Sequence, residues 1–356
     1  MSDRPAADEV EVSVFGPGYG ESAVLHLGNG DWAVVDSCVR PGTATPAAIQ
    51  YLDELGVDIS AQVVVVAATH WDDDHVRGFS EVVRASREAT IVFSEVVRTE
   101  EFMVLAAVSP LTMAKTSGAT ELAKTLDILQ NEGRNFVTAR AGLHLWNDSS
   151  GSVTMAALSP SQRCIERARE WLAASLPDKL QPLLRTRSTE HGNDASIVIS
   201  VEIDGEVILL GGDLEEKGVK GWSDVVEGHW PHEGAASVFK VPHHGSSDAH
   251  HPQVYDDLLT EDAISVIAPW RRGKGRLPLA SDLDRICALK PSSYLTADPG
   301  GTGQLTPFRG AVGKMIQQTT LSRQAVHPGF GHVRLRKILG SSDWEVQLDG
   351  AALLAC

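Results

Sequence analysis

An unbroken apolar run, Val63–Ala68, leads directly into a polar segment, Thr69–Gly78, that carries four candidate metal donors within six positions. A run of this length without polar alternation predicts a strand that is buried on both faces. The four donors are His70, Asp72, Asp74 and His75. Imidazole and carboxylate both bind borderline to hard cations, so the end of this strand predicts a site for one or two divalent ions. A solvated acidic turn is the alternative interpretation, which the flanking histidines and the preceding strand disfavour.

Two further apolar runs end in residues of the same chemical kind. The run Glu206–Gly211 is followed by a second glycine and Asp213, and the run Val238–Val241 is followed closely by His243 and His244. Glycine lets the backbone approach a bound ion closely. Because adjacent side chains on an extended segment diverge, we do not expect the two histidines to bind the same ion.

The composition limits the classes of protein to which the chain can belong. The chain has 356 residues, of which 42% are hydrophobic and 22% charged, so it can bury a sizeable core in one large domain or two. Its formal net charge of −16 argues against a broad basic face for nucleic acid. Four scattered cysteines without a Cys-x-x-Cys pair predict reduced thiols and no cysteine zinc site. The polar N-terminus and the short apolar runs predict a cytoplasmic protein without a secretion signal or membrane span.

The order of patterns along the chain predicts strand-rich parts separated by helices. Residues 10–40 predict a β-meander with an Asn-Gly hairpin turn, and residues 196–211 predict a hairpin around an Asp-Gly turn. The predicted helices cover residues 46–55, 98–133 and 161–184. This order favours two stacked sheets with helices on the outside.

The donor segment His70–His75 resembles the first signature of the metallo-β-lactamase fold superfamily, with an aspartate in place of the second histidine. In this respect it is similar to the soluble domain of ComEC-type DNA-uptake proteins. The segments that share this resemblance are Gly18–Ser22, Asn193–Ser196 and Val241–Ser246. The resemblance implies an α/β fold of the metallo-β-lactamase-like αββα type, in which two mixed β-sheets carry helices outside. It implies one domain over residues 1–356, with a helical insertion at about 98–190 and a C-terminal β extension at about 320–356.

The same resemblance implies two metal sites that share one carboxylate. His70 and Asp72 face the first ion, Asp74 and His75 face the second, and Asp213 bridges both ions. The expected cofactors are therefore two divalent cations. Zn²⁺ and Mn²⁺ are expected first and Mg²⁺ is an alternative. The extra carboxylate makes the site harder than an all-histidine zinc site, which shifts the preference towards Mn²⁺ or Mg²⁺.

The histidine pair has divided roles under the resemblance. We expect His244 to complete the second metal site and His243 to contact the substrate phosphate, although the reverse assignment stays open. Ser246 of the same signature is a candidate substrate contact. The candidate catalytic residues are therefore Asp74, Asp213 and His243.

Four residues are candidates for supporting ligands. Asp36, at the end of a strand, is expected to hold the donor segment Thr69–Gly78, which we call the metal loop. Asn193 stands where the superfamily has its middle histidine, so an oxygen donor or water replaces a nitrogen ligand there. His191 is the alternative at this position. Glu215 is expected to orient a ligand or a water molecule.

One loop supplies positive charge near the end of another apolar strand. Its candidate substrate-binding residues are Trp270, Arg271, Arg272 and Lys274. Arginine binds phosphate in a bidentate manner and tryptophan can stack on a base. The alternative is a solvated basic loop. A small basic rim on an acidic protein suits a nucleotide or a short, single-stranded substrate, because a long duplex needs many phosphate contacts.

These features together predict a hydrolase. Two cations about 3.5–4 Å apart can activate a water molecule and stabilise both oxygens of an in-line displacement. An oxygen-rich site suits phosphorus, so we expect a phosphodiesterase or nuclease that acts on DNA, RNA or a nucleotide. The alternatives are a hydrolase of a small phosphoester or other metabolite, and a non-catalytic metal-binding partner protein.

Overall fold

The computed structural model describes residues 3–17, 20–112, 118–175, 192–218, 220–272, 275–300 and 329–356. Numbered along the chain, the strands are β1 (Glu9–Pro17), β2 (Ser22–His26), β3 (Trp32–Val35), β4 (Val63–Ala68), β5 (Thr90–Ser94), β6 (Phe136–Ala139), β7 (Leu143–Asn147), β8 (Val153–Ala157), β9 (Ile199–Ile203), β10 (Glu206–Leu210), β11 (Ala236–Lys240), β12 (Leu259–Ile267), β13 (Trp270–Arg272), β14 (Gly275–Leu277), β15 (Ser293–Leu295), β16 (Phe330–Ile338), β17 (Glu345–Gly350) and β18 (Leu353–Leu354).

The helices, numbered in the same way, are α1 (Ala47–Glu54), α2 (Ile59–Gln62), α3 (Asp73–Val76), α4 (Phe79–Ala85), α5 (Glu100–Thr112), α6 (Gly118–Glu132), α7 (Gln162–Ser175), α8 (Trp222–Glu227) and α9 (Ala280–Leu289). Within the described residues the strands form two eight-stranded sheets and a ribbon of β13 and β14. The first sheet has the order β17-β16-β1-β2-β3-β4-β5-β6, and the second has the order β18-β15-β12-β11-β10-β9-β8-β7.

Each sheet has a parallel part and an antiparallel part. Strands β3 to β6 pair in parallel in the first sheet, and β10, β11, β12 and β15 pair in parallel in the second. Parallel neighbours need a crossover, and helices supply it between β3 and β4 and between β4 and β5. Because parallel strands end at a common edge, residues that follow β10 and β11 lie side by side.

Three clusters of apolar side chains fill the spaces between the layers. The cluster between the sheets joins Val12 and Val65 of the first sheet to Val201 and Val238 of the second. A second cluster packs Trp32 and other residues of the first sheet against helices α1, α4, α5 and α6. A third packs the second sheet against α8 and α9, with Trp222 and Ile286 fully buried. This αββα arrangement of two mixed sheets confirms the predicted fold class.

The central strand shows why the apolar run was informative. Val63, Val66 and Ala68 of β4 face the helices, whereas Val65 and Ala67 face the other sheet. Both faces are therefore covered, as a run without polar alternation requires. The hairpin of β9 and β10 also forms at the predicted Asp204-Gly205 turn.

The stretch predicted as a helical insertion contains α5, α6 and α7, and residues 136–157 within it form β6 in the first sheet and β7 and β8 in the second. The described part of the expected C-terminal β extension contains β16, β17 and β18. Strand β16 pairs with β1, and β18 pairs with β15, so these strands belong to both sheets. The local pattern indicates a strand but not its partner.

The cysteines correct one prediction. Cys287 and Cys356 form a disulfide between positions 69 apart in sequence, although reduced thiols were expected. Cys38 and Cys164 are free and buried. Sequence spacing could not reveal the pair, because only the fold brings α9 and the C-terminus together. No helix in the described ranges is both long enough and apolar enough to cross a membrane.

Candidate metal centre

The ends of three strands from both sheets meet at one place. The segment after β4 carries His70 and His75, the segment after β10 carries Asp213, and the segment after β11 carries His244. A backbone hydrogen bond of 3.0 Å from the Ile197 N–H to the Thr69 carbonyl joins the two sheets at this edge. The three segments meet because each follows a strand in the parallel part of its sheet.

Three buried side chains form the floor of this centre. His70, His75 and Asp213 each offer a ligand atom within 4.8 Å of the others. Their exposed fractions are 2%, 0% and 4%. The Nε2 atom of His75 lies 3.3 Å from Oδ1 of Asp213, and the rings of His70 and His75 have centroids 4.2 Å apart. We call these three residues, together with His244 and Asp74, the floor cluster.

Three atoms of the floor cluster are buried without a hydrogen-bond partner: Nε2 of His70, Nε2 of His75 and Oδ1 of Asp213. Buried polar atoms are normally satisfied, because leaving one unpaired costs about 1–3 kcal/mol. Two imidazole nitrogens and a carboxylate oxygen in such proximity are suited to the binding of divalent cations.

His244 and Asp74 extend the same set to a second position. The Nε2 atom of His244 lies 3.2 Å from Oδ2 of Asp74 and 3.5 Å from Oδ2 of Asp213. Asp213 therefore directs one carboxylate oxygen towards His75 and the other towards His244. Asp213 also offers a ligand atom within 4.8 Å of one on His70, so this carboxylate is close to all three floor histidines.

Asp72 lies at the open side of the floor cluster. Its Oδ2 is 3.9 Å from Nε2 of His70, and its side chain is 24% exposed. Burial, together with the charge of Asp74, raises the pKa of Asp72 to about 7. Its position beside His70 is compatible with the role of a ligand to the first ion.

The outer nitrogen of each floor histidine has a partner that fixes the ring. Nδ1 of His75 is 2.8 Å from Oδ2 of Asp36, and Nδ1 of His70 is 3.0 Å from Oγ1 of Thr69. Nδ1 of His244 donates to the Ala268 carbonyl at 2.9 Å. Outer partners of this kind orient metal-binding imidazoles and raise their basicity.

Asp36 follows β3 and contacts both Thr69 and His75. Its Oδ1 accepts hydrogen bonds from the Thr69 backbone N–H at 2.7 Å and from the Thr69 hydroxyl at 3.0 Å. Its backbone has a φ of 60°, in the left-handed region. The carboxylate therefore joins the start of the metal loop to His75.

The floor cluster distributes protons unevenly. Burial, together with the charge of His75, lowers the pKa of His70 to about 3, so His70 is neutral at pH 7. Burial opposes protonation of His244 as well, but Asp213 and Asp74 outweigh it and raise the pKa of His244 to about 10. The pKa of His75 is likewise well above its ordinary value, mainly because of Asp213. The positive charges of protonated His75 and His244 compensate the negative charges of the carboxylates, as a bound cation would do.

The carboxylates respond in the opposite direction. Burial alone would raise the pKa of Asp213, but the charges of His75 and His244 hold it well below its ordinary value. The hydrogen bond from His244 lowers the pKa of Asp74 in the same way against the effect of burial. Both carboxylates are therefore ionised and available as ligands at neutral pH.

Two glycines permit the close approach of the loops. A Cβ atom on Gly20 would lie 2.0 Å from the Asp74 carbonyl oxygen. A Cβ atom on Gly212 would lie 2.5 Å from Oγ of Ser196, and Gly212 has a φ of +52°. Neither position tolerates a larger residue without movement of the segment that carries a floor residue.

The histidine pair forms a left-handed turn and not the extended segment that we expected. His243 and His244 have φ values of 46° and 54°, and their ring centroids are 6.0 Å apart. His244 faces the floor cluster, whereas His243 faces outwards. The two side chains diverge as predicted, but a turn is the cause.

His243 belongs to a second group at the mouth of the centre, which we call the rim cluster: His243, Glu215, Asp248 and Asn193. Nδ1 of His243 is 3.1 Å from Oδ1 of Asp248, and Nδ2 of Asn193 donates to Oε1 of Glu215 at 2.6 Å. His243, Glu215 and Asp248 could also hold a cation. However, Lys217 already lies 2.8 Å from Oε2 of Glu215 and supplies positive charge.

The turn that carries Asn193 is held by an ion pair. The guanidinium of Arg167 on α7 binds both carboxylate oxygens of Asp194, which is buried. Asn193 is buried beside it and lies 3.4 Å from Nε2 of His243. Asn193 thus contacts two other members of the rim cluster, His243 and Glu215. His191, the other candidate for this position, lies outside the described residues.

The predicted substrate-binding residues are only partly brought to the centre. The Trp270 ring lies nearly parallel to the His244 ring, with centroids 6.4 Å apart, and Ser246 is buried next to the histidine turn. Arg271 is exposed and donates to the Pro299 carbonyl. The backbone of Arg272 belongs to β13, and Lys274 lies outside the described residues.

Three residues near the histidines were not among the sequence-predicted site residues. Glu21 and Lys240 form a buried ion pair behind the floor cluster, and Asp248 lies against His243. A lysine at the end of an otherwise apolar strand was a usable signal for Lys240. Glu21 lies in the segment Gly18–Ser22 that shares the resemblance, which was a usable signal, whereas Asp248 carried none, since acidic residues are common in loops.

A wide recess of about 940 Å³ lies elsewhere, next to β6 and α7. Its lining includes Arg98, Arg140 and Arg169, but none of the floor or rim residues. Arg140 and Arg169 already lie within 3.6 Å of Glu95 and Glu101, respectively. We therefore locate the candidate site by its donor atoms and not by the volume of the recess.

No protein-family model and no curated protein matches the sequence. Solved structures with a similar chain path include the metallo-β-lactamase fold protein YhfI from Bacillus subtilis, which is 11% identical with a TM-score of 0.42 over 83% of this chain and 98% of that chain. A metallo-β-lactamase from Cronobacter sakazakii is 16% identical with a TM-score of 0.31 over 58% of this chain and 63% of that chain. Zn²⁺-bound PqqB from Methylobacterium extorquens is 13% identical with a TM-score of 0.33 over 62% of this chain and 60% of that chain.

The matches to the Cronobacter and Methylobacterium proteins span less than two thirds of those chains. Likenesses of this size concern the path of the chain and carry nothing about substrate or reaction.

Proposed function

We propose that the chain is a metal-dependent hydrolase that cleaves phosphoesters, and specifically a phosphodiesterase or nuclease. The observation that carries the proposal is the set of unpaired donor atoms in the floor cluster. Nε2 of His70, Nε2 of His75 and Oδ1 of Asp213 are buried, close together and without hydrogen-bond partners. Such atoms are typical of a site that is completed by a cation.

The donor chemistry supports two divalent ions. His70, Asp72 and one oxygen of Asp213 would hold the first, and Asp74, His75, His244 and the other oxygen of Asp213 would hold the second. Bound ions of this kind supply charge stabilisation and an activated water molecule. With three aspartates against three histidines, the set is richer in oxygen than an all-histidine site, which favours Mn²⁺ alongside Zn²⁺.

The rim cluster supports a phosphate substrate. His243 is partly exposed at the mouth, and its hydrogen bond to Asp248 orients the ring. Burial opposes protonation of His243, but Asp248 and Asp213 raise its pKa above the ordinary value. A protonated imidazole at this position can donate a hydrogen bond to a phosphoryl oxygen or to a leaving group.

An oxygen-rich floor favours phosphorus over a lactam or thioester, since anionic phosphoryl oxygens bind hard cations well. The resemblance of His70–His75, Asn193–Ser196 and Val241–Ser246 to the ComEC-type domain supports a polynucleotide or nucleotide substrate. Trp270, whose ring centroid lies 6.4 Å from that of His244, would stack on a base.

A second candidate is a hydrolase of a small phosphoester. The net charge of −16 favours it, because a strongly acidic protein repels a long polyanion unless local cations compensate. Arg271, one such cation, is engaged with the Pro299 carbonyl. Cleavage of a model phosphodiester without any cleavage of polynucleotides would select this candidate.

The test is an activity screen of purified protein with Mn²⁺, Zn²⁺ and Mg²⁺ against single-stranded DNA, duplex DNA, RNA, nucleotides and a model phosphodiester. Asp213→Ala protein runs beside the wild type. We expect metal-stimulated cleavage by the wild type alone. Equal activity of the two proteins would contradict the proposal, and less than one ion bound per chain would favour a non-catalytic partner protein.

A further inference from the structure

A buried ion pair connects the two sheets directly behind the floor cluster. Glu21 precedes β2 of the first sheet, and Lys240 is the last residue of β11 in the second. Each residue is 4% exposed, and Nζ of Lys240 contacts Oε1 of Glu21. Because the sheets supply different floor residues, this pair spans the gap across which the donors must be held.

The carboxylate of Glu21 lies behind one histidine from each sheet. Its Oε1 is 3.7 Å from Nδ1 of His75, and its Oε2 is 3.4 Å from Nδ1 of His244. The Glu21 backbone N–H also donates to the Asp74 carbonyl at 2.9 Å. One residue is thus in contact with three members of the floor cluster that would hold the second ion.

Lys240 makes the matching contacts on the second sheet. Its Nζ lies 3.4 Å from the carbonyl oxygen of Gly212, which precedes Asp213. In addition, the Gly211 N–H donates to the Lys240 carbonyl at 3.1 Å. The ammonium therefore compensates the charge of Glu21 and contacts the segment that carries the bridging carboxylate.

Stability does not account for such a pair. Removing two charges from water costs several kcal/mol per ion, and apolar residues in the same place are often as stabilising or more so. The neighbouring positions in β11 are apolar and fully buried, as Val238 and Phe239 show. The pair therefore needs an explanation in the geometry of the site.

We infer that Glu21 and Lys240 are positioning residues that set the separation and orientation of His75 and His244. In this way they strengthen the binding of the second ion. The inference rests on the metal centre of the proposed function. Glu21 would act through its negative charge beside the outer nitrogens, whose shorter contacts are with Asp36 and the Ala268 carbonyl, and Lys240 would keep the carboxylate in place. Outer partners of metal-binding histidines typically change metal affinity by about 10–100-fold.

The experiment measures Mn²⁺ binding by calorimetry, without substrate, for wild-type protein, Glu21→Gln, Lys240→Met and the double variant. The melting temperature of each metal-free protein is measured in parallel. The control is the exposed pair Glu81 and Arg84, changed to Gln and Met, whose atoms lie 2.6 Å apart on α4.

We expect the double variant to have a melting temperature close to that of the wild type, because both buried charges are removed at once. Its affinity for the second Mn²⁺ should nevertheless be about 10–100-fold weaker, with the first ion bound as before. The control pair should change neither quantity. Restoration of second-ion affinity in Glu21→Asp relative to Glu21→Gln would support positioning by the carboxylate.

Wild-type affinity for both ions in the double variant would overturn the inference, even if its melting temperature falls. An equal loss of both ions would also overturn it, because that indicates general disturbance of the centre. Failure of the wild type to cleave phosphoesters while it binds two ions would contradict the proposed reaction alone. The two conclusions can therefore fail separately.

Discussion

The floor cluster and the rim cluster contain the same types of side chain in neighbouring places, yet their histidines differ in how the ring nitrogens are satisfied. In the floor cluster, Nε2 atoms of His70 and His75 are buried without partners. In the rim cluster, His243 has Asp248 and Glu215 has both Asn193 and Lys217.

This difference teaches that donor type alone does not define a metal site. A buried imidazole that lacks a partner gains strongly from a cation, because its desolvation has no other compensation. A partly exposed histidine with a carboxylate partner gains less. We therefore assign ion binding to the floor cluster and substrate contact to the rim cluster, and the following changes test that division.

The largest effect is expected for Asp213→Asn. The change removes the charge between His75 and His244 while it keeps the shape of the side chain. We expect kcat/KM to fall by about 10³-fold or more, which corresponds to roughly 4 kcal/mol of transition-state stabilisation. Mn²⁺ content, measured by elemental analysis, should fall with it. Asp53→Asn, at an exposed position on α1, is the matched control and should match the wild type.

The adjacent histidines give the sharpest comparison of the two clusters. His244→Asn should reduce the bound metal to one ion per chain, because Nε2 of His244 is a floor donor. His243→Asn should keep both ions but lower kcat by about 10²-fold, the size of effect typical of a lost general acid or base. Metal analysis and steady-state kinetics on both variants check this. Equal metal loss in the two variants would remove the distinction between floor and rim.

A smaller effect is expected from pH on the metal-free protein. The folded-state pKa of His244, about 10, lies above its ordinary value of 6.5. The stability that this histidine contributes is therefore complete below pH 6.5 and is lost as pH rises towards 10. Melting temperatures of chelated protein should fall over this window, by roughly 2–4 °C for each kcal/mol lost.

Added Mn²⁺ should reverse that trend. Ions compete with protons for the floor histidines, so the rise in melting temperature on metal addition should be larger at pH 8.5 than at pH 6.5. His244→Asn protein should show a flatter pH profile without metal. A metal-induced rise that is independent of pH in the wild type would argue against proton displacement at the floor cluster.

The smallest effect is expected at the edge of the rim. Trp270→Leu removes an aromatic surface next to His244 and leaves the floor donors in place. For a nucleotide or single-stranded substrate, KM should rise about fivefold, which corresponds to about 1 kcal/mol of stacking. The KM of a model phosphodiester without a base should stay the same. A similar rise for both substrates would place Trp270 in a structural role.

Much of the fold could be predicted from local patterns. The apolar run Val63–Ala68, the hairpin around Asp204 and the helix after residue 46 all form as their periodicity indicated. Hydrophobic pattern is a property of neighbouring residues, so it predicts elements well. Pairing between distant elements is not local, and for that reason the place of β16 beside β1 and of β6 to β8 in the two sheets could not be predicted.

The candidate site shows the same division. The sequence by itself determined which strand ends carry donors, because His70, Asp74, His75, Asp213 and His244 each follow an apolar run. It also determined that two glycines, Gly211 and Gly212, directly precede Asp213. These features depend only on the order of residues along the chain.

Only the tertiary structure decided how those donors are divided and supported. The left-handed turn directs His244 to the floor and His243 to the rim, and the stacking of the sheets places Glu21 and Lys240 behind the histidines. It also joined Cys287 to Cys356, which sequence spacing did not indicate. These contacts connect residues far apart along the chain, so only the folded arrangement of the sheets and helices brings them together.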